Sequence, residues 1–276
     1  MSFNRRKFIA GTGLIGIGQA AGVGLTAELA GKDARHPITR PEVDELQNKL
    51  ARGRLTCMQT PESNDGPYYY PSSAARRDIT EGGTGTRLRL GITVANAVAP
   101  GTPCEALPDA VVDVWQADAI GMYSNVGGDL QAVDTTGRTF MRGHQVTNSA
   151  GYVEFETVVP GWELVSVPPP VNVVVRATHI HVKVFQENKV ATTQLYLPDE
   201  LLDELYASVD PYKTHRKMTA PGLGRSVERV RNREDRVFIA DQSKPLEVRR
   251  TGDGIFAVAT IGINTLGSRG LPSLFR

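Results

Sequence analysis

The chain has 276 residues, with 31 Lys and Arg against 30 Asp and Glu, for a formal net charge of +1. At 40% hydrophobic and 7% aromatic, with 28 Gly and 17 Pro, the composition is that of an ordinary globular protein and excludes disorder, collagen and coiled coil. The even charge balance supplies no basic surface for nucleic acid or an acidic membrane, and 2 cysteines are too few for a disulfide scaffold.

In chain order, the first feature is Arg5-Arg6-Lys7 ahead of an uncharged stretch from Phe8 to Ala27. Its many glycines make it only mildly apolar and a poor membrane-spanning helix. A basic start and a weakly apolar segment read as an export signal, and the Arg-Arg pair points to the twin-arginine route, which carries folded proteins. The destination is then periplasmic or secreted, or membrane-tethered if the signal is retained. The competing reading is a basic start followed by an amphipathic helix. Export makes a Cys57–Cys104 disulfide chemically permissible, but sequence alone does not bring the two Cα atoms within reach. Setting aside residues 1–30 as signal leaves about 245 residues, enough for one large domain or two small ones.

Pro41 to Arg52 (PEVDELQNKLAR) has the pattern of a short amphipathic helix with proline at its start. A loop with Gly66-Pro67-Tyr68-Tyr69-Tyr70 follows, so residues 31–86 form a helix-and-loop arm. From Arg87 the period changes to two. Strands are expected at Arg87–Val94, Ala110–Trp115, Tyr152–Thr157, His179–Phe185 and Thr193–Leu197, with others near Val237 and at Ile255–Ile261. A helix is expected at Asp199–Ser208, where two acidic residues suit a helix start. Short strands separated by Gly- and Pro-rich turns predict an all-β fold, an antiparallel β-sandwich with short peripheral helices, over residues 87–276. There is no internal repeat and no further domain boundary.

The sharpest chemical feature is His179-Ile180-His181 on a predicted strand. Residues i and i+2 share a face, so both imidazoles converge on one side while Ile180 enters the opposite layer. Two neutral imidazoles suit a first-row transition metal, though H-x-H alone also fits a solvent-facing pair. The surrounding blocks are more specific. Arg176 precedes the pair in R-x-x-H-I-H, and upstream lie Trp115-Gln116-Ala117-Asp118-Ala119-Ile120-Gly121-Met122-Tyr123-Ser124, Arg142-Gly143-His144-Gln145-Val146-Thr147, and Pro160-Gly161-Trp162. In this order, from Thr60 to about Pro198, they resemble the intradiol ring-cleaving catechol dioxygenases, with the closest likeness to their exported, twin-arginine branch.

The resemblance implies a β-sandwich that binds one ferric ion through two tyrosines and two histidines. It also implies O2-dependent cleavage of a catechol between its hydroxyl-bearing carbons, to a muconate-type diacid. Carried over, the metal ligands are Tyr123, His179 and His181. Arg176 stands beside the substrate and stabilises developing anionic charge, Gln194 falls in the matching T-T-Q-L-Y block, and Tyr68 and Tyr69 match the segment that approaches the metal pocket. The implied partners are a small aromatic diol and O2. Nucleic acid is not among them, and a homodimer is left open.

One position departs from that pattern. The second tyrosine directly follows Pro-Gly-Trp in the exported branch, and here that residue is Glu163. Either Glu163 replaces the tyrosinate as ligand, or it points away and the protein is a metal- or ligand-binding relative without the dioxygenase chemistry. A non-oxidative enzyme using another divalent metal is the third option. Glutamate has a pKa of about 4.3 and tyrosine about 10, so a ligating Glu163 is the weaker base unless burial raises it. The segment Leu164–Val175 is longer than the usual link, and Pro168-Pro169-Pro170 is expected to hold it extended. His144 reads as a support behind the site or a surface residue, His36 and His215 as exposed, and Arg225–Arg236 as a solvated mixed-charge run. Nothing matches a phosphate-cradling loop, a nucleophile elbow or a zinc C-x-x-C pair.

Overall fold

A computed structural model describes residues 59–71, 73–97, 104–131, 133–166, 173–215 and 229–265, and two sheets dominate them. The first is built on β1 (Arg87–Asn96). One edge of β1 pairs with β5 (Tyr152–Val158) and then β2 (Glu105–Ala106); the other pairs with β11 (Gly254–Ile263), which pairs in turn with β10 (Glu247–Thr251). The second sheet has the order β4-β3-β8-β9, from β4 (Arg142–Val146), β3 (Val111–Trp115), β8 (His179–Gln186) and β9 (Lys189–Tyr196), all antiparallel. A hairpin of β6 (Leu164–Ser166) and β7 (Val173–Val175) stands apart.

The period of two explains the packing. Leu88, Leu90, Ile92 and Val94 of β1 are fully buried, and so are Val112 and Val114 of β3 and Ile180, Val182 and Val184 of β8. These belong to one hydrophobic cluster between the sheets. Burying each such side chain contributes roughly 1.5–3 kcal/mol, and a one-residue slip of β8 would place His179, His181 and Lys183 in that core.

Among the described strands one pair is parallel: β1 and β11 run the same way from Leu88↔Ile255 to Asn96↔Ile263. Alternation assigns faces but says nothing of a neighbour's direction, so an all-antiparallel expectation could not anticipate it. The expected strand near Val237 is instead a helical turn, α3 (Arg236–Ala240), after α1 (Asp199–Ser208) and α2 (Tyr212–His215). Asp235 accepts from Val237 N at 2.8 Å and Phe238 N at 3.0 Å, a cap that winds a β-branched run into helix. Strands β4 and β10 were not expected because their polar sequences, RGHQV and EVRRT, hide the alternation. The export segment, Pro41–Arg52, Pro168–Pro170, His36 and the His215 side chain lie outside the described residues. So does Cys57; Cys104 is buried and disulfide-bonded.

Candidate functional site

The candidate site lies on the outer face of the second sheet. Register places Arg142, Trp115, His181 and Gln194 in one row across four strands, with His179 beside Tyr196 in the next. An outer face normally meets water, yet His179 and His181 are each 3% exposed. The roof comes from three segments: the arm around Gly66–Tyr69, the loop carrying Tyr123, and the Pro160–Glu163 segment.

The arm is pinned by Ser63 N to Thr192 O at 2.8 Å and by Asp65, whose carboxylate meets Lys183 Nζ at 2.6 Å and Thr192 Oγ1 at 3.0 Å. Gly66 has φ +66, and a Cβ there would lie 3.3 Å from His181 Cε1, so glycine lets the backbone close over the imidazole. Tyr68 packs on Tyr123 with centroids 4.5 Å apart and donates its hydroxyl to Leu130 O at 2.8 Å, making it a wall of the pocket. Tyr69 turns aside to Trp115 and the Lys183 ammonium, and its hydroxyl lies 3.5 Å from Asp113 Oδ2.

Tyr123 is fully enclosed at 1% exposure. Its N–H donates to Gln131 Oε1 at 2.9 Å, and its carbonyl accepts from Gln131 Nε2 at 2.9 Å and Thr135 Oγ1 at 2.7 Å. Arg142 braces the next residue, Nη2 donating to Ser124 O at 2.7 Å and Nε to Ser124 Oγ at 2.9 Å. The segment leading to Glu163 is held by two tyrosines: Tyr206 donates to Pro160 O and Tyr212 to Val159 O, each at 2.7 Å. Gly161 makes this path possible, because a Cβ would meet Ala119 O at 2.5 Å.

Four donors converge here. His179 Nδ1 donates to Ala177 O at 2.6 Å, which leaves a lone pair on Nε2. That Nε2 faces His181 Nε2 at 3.0 Å and lies 3.7 Å from Glu163 Oε1. The His181 ring is fixed by stacking on Trp115 at 4.7 Å and 6°, its Nδ1 having no partner among the described residues. The Tyr123 phenol neighbours the Glu163 carboxylate, whose Oε2 is buried without a hydrogen-bond partner among the described residues. Burial holds the Tyr123 phenol well above its usual range, with the Glu163 charge adding to it; burial lowers both imidazoles, His181 the further.

Neutral imidazoles, a phenol and a carboxylate with an orphaned oxygen fit a mononuclear transition metal, because a cation satisfies lone pairs that otherwise oppose one another. Among the described residues no three His, Cys, Asp or Glu side chains make a metal cage by themselves, so the Tyr123 phenol is needed to complete the set.

Arg176 stands beside this group, 16% exposed in its side chain. It donates through Nε to Asp235 Oδ2 at 2.7 Å and through Nη2 to Gln194 Oε1 at 2.8 Å and Tyr196 OH at 3.1 Å. Arg176, Gln194, Tyr68, Tyr123, Glu163, His179 and His181 are thus gathered in one place, while Tyr69 belongs to the neighbouring row. His144 is half-buried in β4, its Nδ1 2.9 Å from Ser73 O.

The described part of the mixed-charge run corrects an expectation only in part, since Arg233, Glu234 and Arg236 are exposed as expected. Arg229 is buried between Asp199 at 2.5 Å and Asp203 at 2.6 Å, and Asp235 is buried against Arg176. The run reads as solvated because its partners are distant in sequence. Asp235, Tyr206 and Tyr212 went unread for the same reason, although an Asp ahead of Arg236-Val237-Phe238-Ile239 is a legible helix-cap signal; Gln131 and Thr135 act locally on the Tyr123 loop, and no motif marks them.

A family model described as Dioxygenase matches residues 64–223. The chain is similar to the structure of an intradiol ring-cleavage dioxygenase from Tetranychus urticae, with 26% identity, TM-score 0.59, and coverage of 76% of this chain and 96% of that one. It is also similar to the dioxygenase domain of a carbohydrate-binding fusion from Streptomyces sp. SirexAA-E, with 26% identity, TM-score 0.50, and coverage of 75% and 99%. No curated protein matches. With more than half of its length matched by the family model and the sandwich shared with these enzymes, the chain belongs to the intradiol ring-cleavage dioxygenase family.

Proposed function

We propose that this dioxygenase opens a catechol- or hydroxyquinol-type ring between its two hydroxyl-bearing carbons, at one Fe(III) held by Tyr123, His179, His181 and Glu163. Both atoms of O2 enter the product, so a catechol and one O2 become a muconate-type diacid with no external reductant. The observation that carries the reading is the pair of facing Nε2 atoms, 3.0 Å apart, with a Glu163 oxygen 3.7 Å from one and the buried Tyr123 phenol beside the same carboxylate.

Iron held by these residues would supply Lewis acidity to a bound catecholate. The chain's own residues do the rest. Loss of the Tyr123 hydroxyl proton would leave two anionic oxygens, on Tyr123 and Glu163, to offset the charge of a trivalent cation. Glu163 is also the base placed to take a proton from a catechol hydroxyl. Being intrinsically weaker than a tyrosinate, it favours an acidic ring or a slower first step. Arg176 holds a permanent positive charge near both imidazoles, where negative charge grows on the opening ring. Tyr68, Trp115 and Gly66 pack over this face and keep water from the histidines.

Oxygen uptake by the iron-loaded protein tests this. Catechol or hydroxyquinol is expected to consume one O2 per ring, with a diacid absorbing in the near ultraviolet. Iron binding without any uptake would instead make the chain a metal-binding relative. The twin-arginine segment supports export; a reporter fusion retained in the cytoplasm contradicts it.

A further inference from the structure

Asp235 lies outside the metal-facing group, yet it is 2% exposed and its two oxygens are fully engaged. Oδ2 accepts from Arg176 Nε at 2.7 Å and Ala177 N at 2.8 Å, and Oδ1 from Arg176 Nη2 at 3.1 Å, Val237 N at 2.8 Å and Phe238 N at 3.0 Å. Capping α3 accounts for the last two bonds, and Ser or Asn caps a helix as well as Asp does. Capping does not account for a charged, two-point grip on a guanidinium.

That grip fixes a plane. Nε and Nη2 are both tied to one carboxylate, and Nη2 also bonds Gln194 and Tyr196. The flat, fork-like group therefore cannot swing about its stem. Among the described residues, no hydrogen bond uses Nη1. The pinned charge bears on both His179 and His181. A free arginine would lose side-chain entropy on each encounter with substrate; here that ordering belongs to the folded protein.

We propose that Asp235 is a positioning residue for ring cleavage, locking Arg176 in one plane beside the histidine pair before substrate arrives. The proposal rests on the reading of Arg176 as the substrate-facing charge. It also joins the last helical turn of the described chain to the catalytic face, so the 232–240 segment serves turnover as well as packing.

Asp235→Asn and Asp235→Ser separate the roles, since both keep a good cap and lose the charged grip. In the iron-loaded, full-length protein each is expected to lower kcat for catechol roughly tenfold, with a smaller change in KM. Iron content should stay at the unaltered protein's level. In an Arg176→Gln background the same changes should add almost nothing, because the residue they act through is gone. If Asp235 only caps α3, both variants keep the parent kcat, which overturns the proposal. A lowered melting temperature with unchanged kcat per bound iron overturns it as well, and so do effects that simply multiply in the double variants. An unchanged kcat in Arg176→Gln alone overturns the substrate-facing role of Arg176 and this proposal with it. A fall there that is absent from both Asp235 variants overturns this proposal only.

Discussion

The outer faces of the two sheets arise from the same alternation and end in opposite states. On the first sheet, Arg87 is 49% exposed in its side chain and lies 3.1 Å from Glu156, and Arg77, from the segment before β1, links Glu156 to the more deeply set Glu154. On the second, His179, His181, Trp115 and Gln194 occupy equivalent outward positions and are almost entirely buried. The strands do not differ in kind. The difference is the roof, in which the Gly66–Tyr69 arm, the Tyr123 loop and the Pro160–Glu163 segment convert a polar face into a dry one. Burial then neutralises the imidazoles and raises the phenol, so only the second face becomes a set of lone pairs suited to a cation.

Breaking that contrast should have graded effects. The largest is expected from Tyr123→Phe, which removes the single phenolic donor: catechol-dependent O2 uptake should fall by about a thousandfold, and any phenolate-to-iron colour should vanish. Next is Glu163→Gln, which keeps the shape and removes the charge. Iron affinity, measured by competition with a chelator, should fall roughly 10- to 100-fold, and Glu163→Tyr should deepen the colour if position 163 faces the metal. Tyr206→Phe acts through the roof. It strips the Pro160 carbonyl of a buried donor, and denaturant unfolding should show a loss of about 1–3 kcal/mol with a smaller loss of turnover.

Asp113, in the row beside the site, gives a pH signature. Burial lifts its carboxyl from 3.8 to about 6, with Ser73, His144 and Arg142 pulling partly the other way. The folded state therefore holds a proton that the unfolded chain has released. Stability attributable to this group is present below about pH 4 and falls as pH rises to about 6, by at most roughly 3 kcal/mol. Asp113→Asn should remove that slope and stabilise the protein at neutral pH, as urea unfolding across this range would show. The smallest effect is the control on the open face. Glu156→Gln should cost less than about 1 kcal/mol, because exposed ion pairs contribute little, and should leave O2 uptake unchanged.

The outer faces also show what was legible beforehand. Alternation through Arg87–Val94 and His179–Phe185 carries the sandwich, and the H-x-H spacing carries the shared orientation of the imidazoles. The motif blocks bring in Tyr123, Arg176 and Gln194 through resemblance. The roof is not readable in this way, since it depends on contacts such as Asp65 with Lys183, separated by 118 residues, and Arg176 with Asp235, separated by 59. Asp235 carries a local cap signal, but its grip on Arg176 exists only after folding. The parallel β1–β11 pair and the polar strand β4 were hidden for related reasons, one being a question of direction and the other lacking apolar alternation.

The most direct test of a buried four-donor centre is the metal content and visible spectrum of the purified protein, before and after anaerobic addition of catechol. The account predicts about one iron per chain and a visible band that shifts as catechol binds. A colourless protein holding zinc or no metal, with no spectral response to catechol, would contradict it.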